Sequence, residues 1–363
     1  MKFSKVFLRL SAASCLTVAL ALGANTIGMK AGKPALKSAG PLAFGPDGIL
    51  FVGDSMGASI VALDSEDRKA AKSAAKIDVK GINQKIAALL GTTPDQILVN
   101  DMAVNPISKN VYLSISRGRG PDAVPMILRV DAAGKLTEVS LDNIKHSSVS
   151  LPDAPASKEG GRNPRLETIT DMAFVDGKVV IAGLSNEEFS SSLRSVPFPF
   201  ESVSKGTSVE IYHGSHGKFE TNSPVRTFVP YSILNKEYLL AAYTCTPLVK
   251  IPVSDLKPGN KVMGTTIAEL GNRNRPLDMI TYRKDGKDFI LMANSSRGVM
   301  KMATNGLDKF SAISAPVPDK QGVPYETLAE FKGVMQLDKL DDANALMLVD
   351  DAGSLDLRTV ALP

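Results

Sequence analysis

The chain has 363 residues, 44% of them hydrophobic, which is enough to bury a large apolar core. Its formal net charge of +4, its lack of Trp and its 6% aromatic content give no argument for nucleic-acid binding. The two cysteines are Cys15 and Cys245, and Cys15 lies in a segment that we expect to be removed. No intrachain disulfide is therefore expected.

Residues 1–24 have the pattern of a secretory signal peptide. Lys2, Lys5 and Arg9 precede a short apolar stretch, 10–22, and small residues follow it. The stretch is short for a membrane span, although an uncleaved anchor is the alternative. We expect an exported, monomeric protein, periplasmic or extracellular, with no transmembrane segment in the mature chain. Removal of the signal lowers the formal charge to about +1.

The remainder of the sequence repeats one unit, in which two alternating apolar strands are joined by a short turn. In residues 277–302, apolar alternation passes through Asp285-Gly286 into a second strand and a polar corner. The unit recurs near residues 42, 101 and 171. Strand-only repeats of roughly 50–60 residues are typical of a propeller. The sequence predicts an all-β, six-bladed β-propeller over 25–363, with seven blades as the competing interpretation.

The strand assignment predicts how the ring closes. The fourth strand of blade one is assigned to Ile77–Val79, and blade three to residues 169–175, 179–184, 209–212 and 224–228. Blade five ends with residues 310–313. Blade six lacks an outer strand before the chain ends at Pro363, so the segment 27–36 is predicted to supply it.

Three insertions are predicted to cover one mouth of the central channel. Residues 80–98 contain a helical pattern, and residues 145–168 and 187–207 form long loops without periodicity. Loops gathered on one side of a rigid scaffold commonly carry function.

Polar residues at the starts of inner strands and the ends of second strands are expected to meet at that mouth. Carboxylate and amide oxygens converging there would suit a hard cation such as calcium. The predicted metal ligands are Asn100, Asp101, Asp171, Asp278 and Asn294. The alternative is that these Asp residues hydrogen-bond neighbouring backbone and hold the blades together.

Two stretches resemble a known family. Residues 98–104 with the following Asn110-Val111-Tyr112 look like the Asn-Asp inner strand of paraoxonase- and gluconolactonase-like six-bladed propellers, and residues 275–280 resemble their later Asp-bearing strand. The resemblance implies calcium held by Asn100, Asp101 and Asp278, and hydrolysis of lactones or esters at the mouth.

Basic residues form a predicted rim around the same mouth. Guanidinium groups around a concave opening favour a small anionic ligand. The predicted ligand-binding residues are Arg117, Arg165, Asn186, Arg275 and Arg297. The competing interpretation pairs the rim arginines with nearby acids such as Glu167. Two functions follow: an exported binding propeller for a small anionic or protein ligand, or a calcium-dependent hydrolase.

The remaining candidate residues are the histidines and Cys245. His146 lies in a predicted mouth loop, whereas His213 and His216 are expected at an exposed hairpin tip on the opposite face. Two ligands alone do not make a structural zinc site. Cys245 follows a predicted second strand, and we interpret it as a buried apolar residue.

Overall fold

The computed structural model describes residues 26, 28–71, 76–245 and 247–363. The predicted signal peptide, 1–24, lies outside the described residues. Within them the strands form six sheets, and the inner strands of the six sheets pack around a central channel. The chain is a six-bladed β-propeller.

Each blade is named in the order in which its inner strand occurs along the chain. The strands of each blade, from the channel outwards, are as follows: blade one, Leu42–Phe44, Ile49–Asp54, Ser59–Asp64, Ile144–Ser150 and Lys30–Gly32; blade two, Ile97–Val104, Val111–Arg117, Val124–Val130 and Leu136–Glu138; blade three, Asp171–Val175, Lys178–Leu184, Ser191–Pro197, Thr207–His213 and Lys218–Glu220. Lys261–Met263 pairs in parallel with Thr207–His213. The other blades are blade four, Val225–Ile233, Lys236–Tyr243, Pro247–Pro252, Thr265–Leu270 and Lys320–Gly322; blade five, Pro276–Lys284, Lys287–Asn294, Gly298–Ala303 and Glu326–Leu328; and blade six, Val334–Lys339, Asn344–Asp351 and Ser354–Ala361.

The blades do not follow one another around the ring in chain order. Inner-strand packing gives the ring order one, three, four, five, six, two, and back to one. Blade two is therefore inserted, in sequence, between the third and fourth strands of blade one. An apolar cluster fills each of the six interfaces; Phe51 of blade one packs with Met172 of blade three, and Leu113 of blade two packs with Leu348 of blade six.

Ring closure differs from the prediction. The segment near residue 30 pairs with Ile144–Ser150 at the outer edge of blade one, not with blade six. Val79 instead pairs with Leu357 of blade six, exchanging two backbone hydrogen bonds of 2.9 Å. A segment from the N-terminal part of the chain does close the ring, but it is residues 77–79, which were predicted to be the fourth strand of blade one. The reason is that Ile77 and Val79 are both buried between blades two and six, so this segment is part of the core there and makes a single β-bridge to blade six.

Other strand assignments are also wrong. Ser191–Pro197, predicted as part of a loop, is the third strand of blade three, and Ile144–Ser150 occupies the start of the other predicted loop. Val225–Ile233 is the inner strand of blade four rather than the last strand of blade three. The outer strand of blade five is Glu326–Leu328 and not residues 310–313.

Helical structure is limited to one α-helix and short 3-10 turns among the described residues. The predicted helical segment forms the helix Ile82–Leu90, which buries Ile82 and Ile86 against blades two and six and ends at Gly91, a left-handed residue with φ 63°. The 3-10 turns are Pro46–Gly48, Pro94–Gln96, Gly120–Asp122, Pro164–Glu167, Gly214–His216 and Val253–Asp255. No helix in the described ranges has the length and apolar character needed to cross a bilayer.

Candidate functional site

The inner strands enclose a channel of about 370 Å³. Its lining includes apolar residues such as Phe44, Met102 and Phe228, but the surface exposed in the channel is more polar than apolar. Among the charged residues that line it are Asp101, Asp171, Asp278, Asp338 and Lys339. Carboxyls therefore outnumber the other charged groups of the channel.

Each channel carboxyl accepts a hydrogen bond from the backbone of the next blade around the ring. The four bonds are Leu42 N to Asp101 Oδ2 at 2.6 Å, Phe228 N to Asp171 Oδ2 at 2.7 Å, Leu337 N to Asp278 Oδ2 at 2.8 Å, and Val104 N to Asp338 Oδ2 at 2.7 Å. The first three carboxyls lie on blades two, three and five, which alternate around the ring. These residues thus join neighbouring inner strands through hydrogen bonds, which is the alternative to metal binding that the sequence analysis gave.

The same carboxyls are electrostatically coupled. Burial, with a contribution from Asp171 and Asp338, raises the pKa of Asp101 to about 8, against the hydrogen bonds that lower it. Burial also raises the pKa of Asp171 to about 7 and that of Asp338 to about 6. Burial and then Asp101 raise the pKa of Asp278 well above its ordinary value. The side chains are partly exposed only to the channel, so they lack the bulk water that would stabilise their charge.

The carboxyls do not, as arranged, surround a single ion. Oxygens bound to one calcium ion at about 2.3–2.6 Å lie within roughly 5 Å of one another. Among the described His, Cys, Asp and Glu residues, no group of three from the channel has ligand atoms that all lie within 4.8 Å. The oxygens of Asp171 and Asp278 are also engaged by backbone amides. This geometry fits a clamp between blades and does not fit a calcium shell made of three channel carboxylates.

The two predicted amide ligands have local partners. Asn100 donates from Nδ2 to Ala39 O at 2.7 Å and to Ser116 Oγ at 3.0 Å. Asn294 accepts the amides of Ser296 and Arg297 at its Oδ1, which closes the turn after its strand. Both side chains therefore hold the strand ends at the mouth.

An arginine cluster lies above the channel, where the inner strands of blades three, four and five begin. Glu167, in the 3-10 turn before blade three, pairs with Arg226 at 2.7 Å (Nη1 to Oε1) and with Arg162. Arg226 Nε also donates to Thr244 Oγ1 at 2.8 Å. Burial would raise the pKa of Glu167, but hydrogen bonds from the two arginines outweigh it and lower the pKa. We call Arg162, Arg226, Arg275 and Glu167 the mouth arginine cluster.

Arg275 is the member of the cluster without a counter-charge of its own. Its backbone amide donates to Ser295 Oγ at 2.9 Å, and within the described ranges its guanidinium makes no hydrogen bond or ion pair. Burial and the neighbouring Arg226 lower the pKa of Arg275, while Glu167 raises it. The cluster thus contains three guanidiniums and one carboxylate, two of the guanidiniums pair with that carboxylate, and the cluster carries a net positive charge.

The structure brings some predicted ligand-binding residues together and separates others. Arg165 lies in the same 3-10 turn as Glu167, before the inner strand of blade three. Arg117 is exposed at the end of the second strand of blade two, which lies across the ring from blade four. Asn186 is exposed beyond blade three, and Arg297 donates to Asn272 O at 2.9 Å within blade five.

Sequence reasoning missed Arg226 and Asp338. Arg226 was assigned to an outer strand of blade three, so nothing placed it at the mouth; the run Val225-Arg226-Thr227-Phe228, read as an inner strand, would have done so. Asp338 lacks the Asp-Met pair of the other three inner strands.

The remaining predictions are corrected as follows. His146 lies in the outer part of blade one, where its Nδ1 is 3.0 Å from Ile144 O, and not in a mouth loop. His213 ends the fourth strand of blade three and is 2% exposed. That strand begins opposite Leu193 of the third strand and runs past the mouth-side end of the third strand. His213 and His216 therefore lie on the mouth side, and the prediction of the opposite face is wrong. Cys245 is half-buried in a turn of blade four, with φ 80°.

Comparison with known proteins gives this chain neither a family nor an activity. No protein-family model matches the chain, and no curated protein matches it. Among solved structures it is similar to an oxidoreductase described as a glucose dehydrogenase from Thermus thermophilus, 12% identical over 92% of this chain and 100% of that one, with a TM-score of 0.37. It is also similar to the PQQ-bound aldose sugar dehydrogenase of Streptomyces coelicolor, 13% identical over 91% and 96% of the chains, TM-score 0.31, and to a streptogramin B lyase, 11% identical over 92% and 97%, TM-score 0.34. Likeness at this level carries no argument about activity.

Proposed function

We propose that the protein is an exported binding propeller that takes a small carboxylate- or phosphate-bearing ligand at the mouth arginine cluster. The observation that carries the proposal is the guanidinium of Arg275, which lies beside Arg226 without an ion pair of its own among the described residues. Planar guanidiniums bind carboxylate and phosphate through paired hydrogen bonds. An anion between Arg275 and Arg226 would relieve their repulsion.

The position of the cluster supports binding in the channel mouth. Its residues lie just before or at the start of the inner strands of three consecutive blades, so they face one opening from adjacent sides. The charged residues deeper in the channel are mostly carboxyls, which offer an anion no counter-charge, so the ligand is placed at the mouth beside the guanidiniums. Location outside the cytoplasm is proposed from the signal-peptide pattern alone.

The test is a titration of the protein with inorganic phosphate, sulfate and citrate, followed by calorimetry or thermal unfolding. We expect at least one of these anions to bind, with an affinity that falls as ionic strength rises. Arg275→Gln should weaken that binding by roughly 10-fold or more, since a charge-assisted pair contributes about 1.5–3 kcal/mol.

The matched control is Arg283→Gln. Arg283 is largely exposed in the turn region between the first two strands of blade five, at the opposite end of the inner strand. It carries the same charge, so a loss of binding equal to that of Arg275→Gln would indicate a general charge effect and contradict the proposal. Failure of all three anions to bind would contradict it as well.

Calcium-dependent hydrolysis of a lactone or ester stays a prediction, and we derive no step through calcium. Measurement of bound metal, followed by thermal unfolding with and without a chelator, tests it. A chelator effect that is lost in the double variant Asp101→Ala, Asp278→Ala would support it.

A further inference from the structure

A group of three potential metal ligands lies outside the channel, at the end of blade three. His213 ends one strand, His216 lies in the following 3-10 turn, and Glu220 ends the short strand that returns alongside. The ligand atoms of these side chains all lie within 4.8 Å of one another. Among the described residues this is the one such group of three or more His, Cys, Asp or Glu side chains.

The glutamate bridges the two imidazoles. His213 Nδ1 is 2.9 Å from Glu220 Oε2, and His216 Nδ1 is 2.6 Å from Glu220 Oε1. The two rings lie face to face at an angle, with centroids 3.8 Å apart. Two ligands of one zinc ion, each at roughly 2.1 Å from it, are separated by roughly 3.0–3.4 Å. Small movements would therefore let the two Nδ1 atoms and a carboxylate oxygen share an ion.

The surroundings hold the ligands in place and leave one side open. The side chain of His213 is 2% exposed, that of Glu220 13% and that of His216 43%. Ser223 Oγ donates to Glu220 Oε2 at 3.1 Å, and the amide of Gly214 donates to the buried Glu269 at 2.6 Å. Lys218 Nζ is 3.9 Å from Glu220 Oε1, but it is exposed and can turn towards solvent. His213 is thus a buried, fixed ligand, and the exposed His216 lets an ion reach the site from solvent.

We propose that His213, His216 and Glu220 bind a divalent transition-metal ion of borderline softness, such as Zn²⁺. Imidazole nitrogens with one carboxylate suit such an ion better than they suit calcium or magnesium, which prefer oxygen. Each imidazole would coordinate through Nδ1 as a neutral ring with its proton on Nε2: in a neutral ring the Nδ1 proton is replaced by one taken up from solvent at Nε2, and an imidazolium releases its Nδ1 proton to solvent. Water completes the shell on the exposed side. The site does not depend on the proposed anion binding.

The experiment is calorimetric titration of the whole chain with Zn²⁺ alone, on protein that carries no histidine tag. We expect one ion per chain. His216→Gln should weaken binding at least ~10-fold, since it removes a direct ligand. Because His216 is partly exposed, this variant should fold, which its melting temperature without metal will show. Glu220→Gln, of nearly equal size, should weaken binding as well.

His146→Gln is the matched control, because His146 is the third histidine of the chain and lies in blade one. It should leave Zn²⁺ binding unchanged, and so should Cys245→Ser, which removes the half-buried thiol. Equal affinities for the wild type and His216→Gln would overturn the proposal, as would the absence of binding up to about 1 mM Zn²⁺, the weak end of the range of functional affinities.

Discussion

The channel carboxyls hold adjacent blades together at an electrostatic cost. Each accepts a hydrogen bond from a backbone amide of the next inner strand, which gives that amide a partner across the blade interface. Each also loses bulk water, and the carboxyls lie close enough to repel one another. The charged form is therefore disfavoured in the folded protein, and protonation relieves the cost.

This cost predicts how stability depends on pH. The pKa of Asp101 is raised in the folded state, to about 8, so the folded protein binds more protons than the unfolded chain between about pH 4 and pH 8. The stabilisation from its proton is fully present below the unfolded pKa near 3.8 and is lost as pH rises through the folded pKa. Asp101→Asn should reduce the pH slope of unfolding free energy in this window by up to about one proton.

The measurement is urea unfolding of the wild type and Asp101→Asn at intervals from pH 4.5 to pH 8.5. Asp122→Asn is the control, since Asp122 is exposed in a 3-10 turn of blade two. Parallel pH profiles for the wild type and Asp101→Asn would show that the Asp101 carboxyl does not titrate in this range.

At the scale of elements, the crossing segment from blade one to blade six gives the ring its order. Residues 65–71 pass beneath blade two, and the chain then reaches Val79. The buried Asp67 fixes this crossing by accepting hydrogen bonds from Ser108 Oγ at 2.6 Å, Asn110 Nδ2 at 2.9 Å and Tyr112 OH at 3.1 Å. Burial, then Asp67, raises the pKa of Tyr112, so the phenol stays a hydrogen-bond donor.

Removing this anchor should destabilise the whole protein. Asp67→Ala leaves three donors of blade two without their acceptor, and we expect a loss of about 2–3 kcal/mol of unfolding free energy. The exposed Lys69, two residues later in the same segment, provides the control: Lys69→Ala should change stability by less than about 0.5 kcal/mol. Denaturant unfolding measures both, and equal effects would show that Asp67 does not anchor the crossing.

The same elements show which features the sequence could predict. The inner strands with Asp-Met were found because alternation and the following turn are local signals, and the helix Ile82–Leu90 was found from its spacing. Ser191–Pro197 was missed because its serines and prolines resemble a loop, yet Ser191 and Ser192 are buried within the sheet. The pairing of Val79 with Leu357 joins residues far apart in sequence, and no local pattern encodes such a partner. The mouth arginine cluster was missed in part because residues 224–228, which contain Arg226, were assigned to the outer edge of blade three and not to the inner strand of blade four.

At the scale of the whole molecule, the ring order determines which side chains meet at the mouth. Blades three, four and five are consecutive in the ring and in the chain, and they supply Glu167, Arg226 and Arg275. Blade two lies between blades six and one, and an apolar cluster joins it to each of these neighbours. Closure of the ring next to blade two therefore depends on the segment at Val79, which pairs with blade six.

A designed disulfide tests that closure most directly. Asp78 and Arg358 are exposed and flank the hydrogen-bonded pair Val79 and Leu357, so they occupy a neighbouring position where Cα atoms lie about 4.5 Å apart, within reach of a disulfide.

The measurement is oxidation of Asp78→Cys, Arg358→Cys in a Cys245→Ser background, followed by thiol counting and non-reducing electrophoresis of the folded protein. The account predicts complete intramolecular cross-linking of this pair, and none for Lys30→Cys, Arg358→Cys. Cross-linking of the Lys30 pair in place of the Asp78 pair would contradict the ring described here.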